Sequence, residues 1–402
     1  MLNKHTPLFE HVRIGNHHIK NRIAMAPTHV GSGSERGRVT DQTLCYYFAR
    51  AKADVGLVIV EVTGITGRHA FTPGLGLGAA SDKSIPGLSD LARVIHWGGA
   101  QAILQLTIGQ GAQAFYHHEK RPLVGPSDIP AMIQDEDDLP KTLKQLRETT
   151  PEAPRPMTIA EIQDIKTLTL RASARVKKAG FEGVELHGAH GYLLAQFTSP
   201  YFNRREDKYG GSIENRHRLS MEIIEEVKSA LGKDFIVGYR LSAREWIVGG
   251  TDISDSIKLA KKLQEAGVDY ISVSQGCYGS LTHVFPRGEN TITEDAAMIK
   301  KEMAIPVMCA NFHNPDTAAA AVADGSIDMI ALSRPLLADP DWAKKVKTGK
   351  TADINPCIRC YQCIKAAIIT HSPVRCPVNH VLGFERFDPE CFPQKGDFRV
   401  RS

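Results

Sequence analysis

Eight short apolar runs recur along the 402-residue chain: Arg22–Ala26, Gly56–Glu61, Ala102–Leu106, Gly183–His187, Ile236–Arg240, Tyr270–Val273, Pro306–Ala310 and Met329–Leu332. They are rich in β-branched residues and nearly continuous rather than alternating, which suits parallel strands buried on both faces. Between them the period changes. From Ile159 to Ala179 and from Ser212 to Leu231, apolar residues return every three or four positions, and Ser212 stands where a helix N-cap is wanted. Strand and helix alternate throughout, and no G-x-G-x-x-G follows the first run. The pattern therefore predicts an α/β fold of the (β/α)8 TIM-barrel type rather than a doubly wound nucleotide-binding sheet.

Barrels of this kind do their chemistry where strands end. The polar and special residues at those ends are Pro27, Thr28, His29, Glu61, Gln105, His187, Arg240, Ser274, Asn311 and Ser333. Two stretches break the alternation. One, about 107–157, contains Phe115, Tyr116 and an acidic part from Gln134 to Leu139, and is expected to cover the mouth as a lid; a solvated surface loop is the alternative. The other follows Asn355. The chain thus divides into a barrel over 1–350 and a cysteine-bearing segment with its tail over 351–402.

Composition narrows the classes. A net charge of +4 without a lysine or arginine run gives no footprint for nucleic acid or an anionic membrane, so a small-molecule substrate is expected. No stretch has the length and apolarity of a signal or a membrane span, which predicts a cytoplasmic protein; a homo-oligomer is compatible with all of this. Four of the eight cysteines, Cys357, Cys360, Cys363 and Cys376, lie close together, and in a reducing compartment such crowding suggests a metal site. Two successive C-x2-C steps followed by a distant fourth cysteine suit a [4Fe–4S] cubane; zinc is the rival, though it favours two separated knuckles. Cys45, Cys277, Cys309 and Cys391 have no such company and read as packed or exposed thiols.

The richest segment runs from Gly183 to Arg218, GVELHGAHGYLLAQFTSPYFNRREDKYGGSIENRHR. His187, His190 and Tyr192 leave a strand end together and bring two imidazoles and a phenol to the mouth. Imidazoles can hold a developing oxyanion and a phenol can deliver a proton. A metal reading of the histidine pair needs further ligands, for which Glu61 alone offers itself; simple packing is the other alternative.

That segment, with PLFEHVRIGNHHIKNRIAMAP, VGYRLS and IDMIALSRPLLADPDW, resembles the old yellow enzyme family over nearly the whole chain. The nearest branch is that of bacterial ene reductases, 2,4-dienoyl-CoA reductases and trimethylamine dehydrogenase. The resemblance implies FMN at the mouth, bordered by Pro27, Thr28 and His29, with Gln105 on the pyrimidine edge and Arg240 facing N1 and the C2 carbonyl. It places the FMN phosphate near Ala310, Asn311, Ser333 and Arg334. It gives His187 and His190 the substrate carbonyl oxygen and Tyr192 the proton, in reduction of an enone or enoate C=C bond by hydride from flavin N5. An amine oxidoreductase and an electron-transfer flavoprotein subunit are the alternatives.

Some residues depart from the family. Ala310 and Ser333 replace glycines, but both are small. QLTIGQG replaces QLxHxGR, and SQGCYGSL puts Tyr278 where a dienoyl-CoA reductase carries a histidine, which argues away from that substrate. The cysteine segment has one residue fewer between its second and third cysteines than the relatives. No nucleotide-binding glycine motif follows it, so a second flavin domain is expected to be absent. Electrons would then come from NADH or NADPH at the mouth, or from a ferredoxin, flavodoxin or flavoprotein through the cluster.

Overall fold

The computed structural model describes residues 4–66, 76–113, 123–132, 152–289, 291–389 and 391. Eight parallel strands form the centre: β1 (Ile23–Met25), β2 (Leu57–Gly64), β3 (Gln101–Thr107), β4 (Gly183–Gly188), β5 (Ile236–Ser242), β6 (Tyr270–Ser274), β7 (Val307–Ala310) and β8 (Met329–Leu332). Each pairs with its sequence neighbour, and β1 pairs with both β8 (Ile23 with Ile330) and β2 (Ala24 with Leu57), so the sheet closes on itself. A short strand, Leu77–Gly78, pairs in parallel beside the end of β2, Thr63 with Leu77. A hairpin of Val12–Ile14 with His17–Ile19 precedes β1 and sends Ile14 and Ile19 to the same apolar cluster as Leu57, Ile59 and Ile103.

Every expected strand is present. β2 runs on past Glu61 to Gly64, with an irregularity in its register against β3 between Val60 and Thr63. Along each strand the residues sort by parity into two apolar clusters. Ile23, Val58, Leu104, Val184, Val237 and Ile271 belong to the large cluster shared with the helices, whereas Ala24, Leu57, Ile103, Ile236, Tyr270 and Met308 belong to the inner one. The inward parity continues upward to Gln105, His187, Arg240, Ser274 and Ala310. Period-two alternation therefore carries polar side chains of four strands, and Ala310 of a fifth, into the mouth.

Helices form where the sequence offers caps. α1 (Asp41–Ala51) begins with a capping box between Thr40 and Thr43, α2 (Ile159–Lys178) with one between Thr158 and Glu161, and α3 (Ile213–Leu231) with Ser212 accepting from the Asn215 N–H. The ends of the 107–157 insertion meet where Val124–Gly125 pairs with Arg155–Pro156, while Phe115, Tyr116 and the acidic Gln134 to Leu139 lie outside the described residues. Among the described residues no helix is long and apolar enough to cross a membrane.

The cysteine-bearing segment packs onto the barrel. The Val374 N–H donates to Val30 O at 3.0 Å, and Val374 and Leu382 join the large apolar cluster. A turn at Glu385–Phe387 is anchored on α1 by an ion pair of Glu385 with the fully buried Arg50, at 3.0 Å. Cys45 and Cys391 are buried, packed thiols. Cys277 and Cys309 are buried as expected, and burial pushes each thiol up to about 12.

Gly238 on β5 shows how tight the interior is. A Cβ there would lie 2.1 Å from Cζ of Tyr270, whose hydroxyl donates to Glu185 at 2.9 Å. Gly238→Ala is expected to cost about 2–3 kcal/mol by displacing the Tyr270 ring, as overpacking of a close-packed core does. Urea unfolding of the apoprotein measures this; a loss below about 0.5 kcal/mol means that the ring moves freely.

Candidate active site at the barrel mouth

After β4 the chain reverses sharply. His190 and Gly191 take φ of 61° and 73°, both left-handed, and at Gly191 a Cβ would meet Cys277 and Gln113 at 2.8 Å. A histidine tolerates this conformation when its surroundings fix it. The His190 N–H donates to Ser242 Oγ at 2.9 Å, its Nε2 bonds Ser274 Oγ at 2.6 Å, and the Gln113 amide donates to its carbonyl at 2.7 Å. The reversal brings the His187 ring to 5.2 Å from that of His190 and 5.0 Å from that of Tyr192. Tyr192 Oη lies 2.8 Å from Tyr278 Oη.

These groups line one cavity of about 190 Å³. Pro27, Thr28 and His29 line it from the β1 end, Gln105 and Arg240 from β3 and β5, and Ala310, Asn311, Ser333 and Arg334 from β7 and β8. All the mouth residues singled out in the sequence for flavin and substrate thus meet in one place. Four orphaned polar atoms belong to this lining: Nε of Arg240, Nδ1 of His187, Nδ1 of His313 and Nη1 of Arg334 are buried without hydrogen-bond partners. Buried donors left unpaired are costly, so they mark where a polar ligand fits.

Charge is organised around Arg240. Beneath it Glu185 is fully buried and accepts from Gln105 Nε2 at 2.7 Å and from Tyr270 Oη. Burial raises the Glu185 carboxyl above its ordinary range, and Arg240 opposes that rise. Burial, then Arg240, holds His187 well below its ordinary value, and the same causes with His187 added do so for His190. Both imidazoles are therefore neutral at pH 7. Tyr192 is held well above the phenol range by burial and by Tyr278, with Arg240 in opposition, so it keeps its proton. Sequence reasoning missed Glu185 and Tyr270. The signal was a lone carboxylate inside an apolar run, GVELHG, where only a buried partner makes a charge tolerable.

Glu61 is already bonded through one oxygen, while its Oε1 is buried without a partner. His29 Nδ1 takes its Oε2 at 2.6 Å. Among the described residues no group of three histidine, cysteine, aspartate or glutamate side chains, the four clustered cysteines included, is arranged to hold a metal ion. The four cysteines line a second, smaller cavity of about 20 Å³ together with Arg334, Arg359 and Arg375. Left-handed φ at Arg359 (54°) and Tyr361 (62°) turns the chain between successive cysteines. Cys363, Arg334 and Leu337 border both cavities.

Histidines kept neutral by burial also set the acid limit of the fold. His217 on α3 is lowered to about 4 by burial and Arg216, and His313 to about 3 by burial and Arg334, alongside His187 and His190. Unfolded histidines titrate near 6.5, so below that pH the unfolded chain binds more protons than the native one. The thermal midpoint is expected to be level from pH 8 to 7 and to fall steadily between about pH 6.5 and 4. His217→Gln removes part of that fall; an unchanged profile in this variant contradicts the assignment.

A closed parallel barrel whose mouth gathers neutral imidazoles, a phenol and a half-buried guanidinium defines an oxidoreductase of the flavin-barrel class. The chain belongs to the NADH:flavin oxidoreductase / NADH oxidase family, whose profile matches residues 7–353. It is 37% identical over 386 residues to an NADH oxidase of Thermoanaerobacter brockii, covering 94% of this chain and 56% of that protein. A cinnamate reductase of Clostridium sporogenes is 30% identical over 409 residues, covering 96% and 59%. The structure of 2-naphthoyl-CoA reductase in complex with 2-naphthoyl-CoA superposes with a TM-score of 0.86 at 29% identity, covering 96% and 58%. The chain thus spans little more than half the length of these relatives.

Proposed function

We propose that this chain is the FMN-binding, substrate-reducing barrel of an ene reductase that acts on α,β-unsaturated carbonyl compounds. The observation that carries this reading is the convergence of two neutral imidazoles and a protonated Tyr192 in the cavity that also holds Arg240. Neutral N–H donors strengthen their bonds as charge grows on a carbonyl oxygen, which is what polarising an enone requires. His187 and His190 would hold that oxygen, and Tyr192 would protonate the carbon next to the carbonyl. Tyr278, hydrogen-bonded to Tyr192, can donate to the phenolate left behind.

Bound FMN would supply the hydride from N5 to the far alkene carbon. Pro27, Thr28 and His29 would border its ring, Gln105 would meet the pyrimidine edge, and Arg240 would sit against N1 and the C2 carbonyl. Arg334, with an orphaned Nη1 and its Nη2 already on Asn311 Oδ1 at 3.2 Å, would take the phosphate beside Ala310 and Ser333. The four thiols of Cys357, Cys360, Cys363 and Cys376 line one cavity among three guanidiniums and would ligate a [4Fe–4S] cluster in this reading, although among the described residues they are not arranged as a group that holds a metal ion. The reductant in this reading is NADH or NADPH, or a ferredoxin, flavodoxin or flavoprotein partner.

Anaerobically purified protein is expected to contain FMN and about four irons per chain. One zinc and no iron would sink the cluster. The reaction is tested by anaerobic turnover of a panel of enones and cinnamates against trimethylamine and histamine; turnover of the amines alone reverses the assignment.

A further inference from the structure

The turn that follows β5 carries a tryptophan in a conformation that tryptophan avoids. Trp246 takes φ of 57°, in the left-handed region, where a bulky side chain is an outlier. A turn closed on several sides holds it there. The Glu245 N–H donates to Thr251 O at 2.9 Å, the Thr251 N–H donates to Oε2 of the buried Glu245 at 2.7 Å, and the Gly250 N–H donates to Ile247 O at 3.0 Å. Burial of the indole does not compensate for the strain, because Trp246 is 44% exposed. Strain kept at an exposed aromatic marks a ligand platform rather than a packing residue.

The indole is also fixed in direction. The His283 imidazole stacks on it, with ring centroids 4.4 Å apart and planes 18° from parallel. The Arg244 guanidinium carbon lies 5.6 Å from the indole centroid, and Asp295 Oδ1 holds Arg244 Nε at 3.0 Å. Asp295 is buried and Arg244 partly exposed, so the positive group is the one that faces solvent. This platform stands at the rim of the mouth. Tyr278 opens the loop that carries His283, Val284 and Phe285 follow His283, and these three neighbours line the cavity.

We propose that Trp246 is the platform of a subsite for an adenine nucleotide, whose purine stacks on the exposed part of the indole while the other end of the ligand enters the mouth. A purine stacks through its π face, and the phosphates joined to it suit an exposed guanidinium. NADH and NADPH have this form, and so do thioesters of coenzyme A. Each carries adenine at one end and its reactive group at the other, so an adenine held at the rim leaves the reactive end free to reach the cavity. The inference rests on the proposed flavin site only for what that reactive end does there.

Titration of the holoprotein with ADP, the part these ligands share, tests the subsite without turnover. Calorimetry is expected to show binding that Trp246→Ala weakens about ten-fold and Trp246→Phe retains, as loss of a stacking ring does. ADP is expected to quench indole emission in the wild type and not in Trp246→Phe, a readout that stands even where Trp246→Ala fails to fold. Two further arms read the source. For a nicotinamide dinucleotide, the preference for NADH over reduced nicotinamide mononucleotide, as a ratio of kcat/KM, falls about ten-fold in Trp246→Ala. For a thioester, binding of coenzyme A falls instead and that preference stays. Equal ADP affinity in the wild type and Trp246→Ala, no heat and no quench at millimolar ADP, or a loss for ADP that neither NADH nor coenzyme A shares overturns the proposal. A holoprotein without FMN sinks the reading of the mouth, whereas the ADP titration still decides the subsite.

Discussion

Arg240→Met is expected to destabilise the apoprotein by about 3 kcal/mol and to weaken FMN binding by about 100-fold. The guanidinium is half-buried, opposes the rise of the Glu185 carboxyl and offers an unpartnered Nε to the cavity. Methionine of similar volume removes the charge and leaves Glu185 with only the Gln105 and Tyr270 donors, in a place where an uncompensated carboxylate is costly. The double change Glu185→Gln with Arg240→Met restores stability, because it removes both charges, but it does not restore flavin affinity. Urea unfolding and FMN titration separate the two effects. A single variant within about 1 kcal/mol of the wild type shows that Glu185 is already protonated and has no need of its neighbour.

Tyr192→Phe is expected to slow enone reduction by about 100-fold or more while leaving flavin reduction by its donor unchanged. The ring stays and packs against Val62 and Tyr278, so binding and fold are spared, and only the proton is lost. Tyr278→Phe is expected to cost about ten-fold, since it leaves the proton on Tyr192 and removes one hydrogen bond to the phenolate formed later. Single-turnover kinetics with pre-reduced enzyme read the step directly. Equal losses from the two substitutions shift the donor role to the pair as a unit, and no loss from Tyr192→Phe means that solvent supplies the proton.

Much of this architecture is legible in the sequence because its signals are local. A buried parallel strand is a short run, a cap is one residue, and parity decides which side chains a strand sends inward. His187 and Arg240 could thus be placed at the mouth before any packing is known. What is not legible depends on register between distant strands. Glu185 meets Gln105 and Tyr270 only because β3 to β6 align side by side, and Gly238 is needed only because Tyr270 turns across it. The bond between Tyr192 and Tyr278 joins parts of the chain whose spacing carries no periodic signal. Period-two reasoning likewise cannot show that Glu61 is already engaged by His29.

The inward parity of the strands also bears on how such a protein can change over generations. Inserting or deleting one residue inside β4 would turn His187 out toward the helices and bring Leu186 into the mouth, and the same holds for Arg240 on β5. Length change within a strand is thereby a lethal move for the site, whereas the loops that follow the strands can lengthen or shorten freely. Divergence in what the pocket accepts must then accumulate by substitution on the strands and by insertion beyond them, as between Thr107 and Met157.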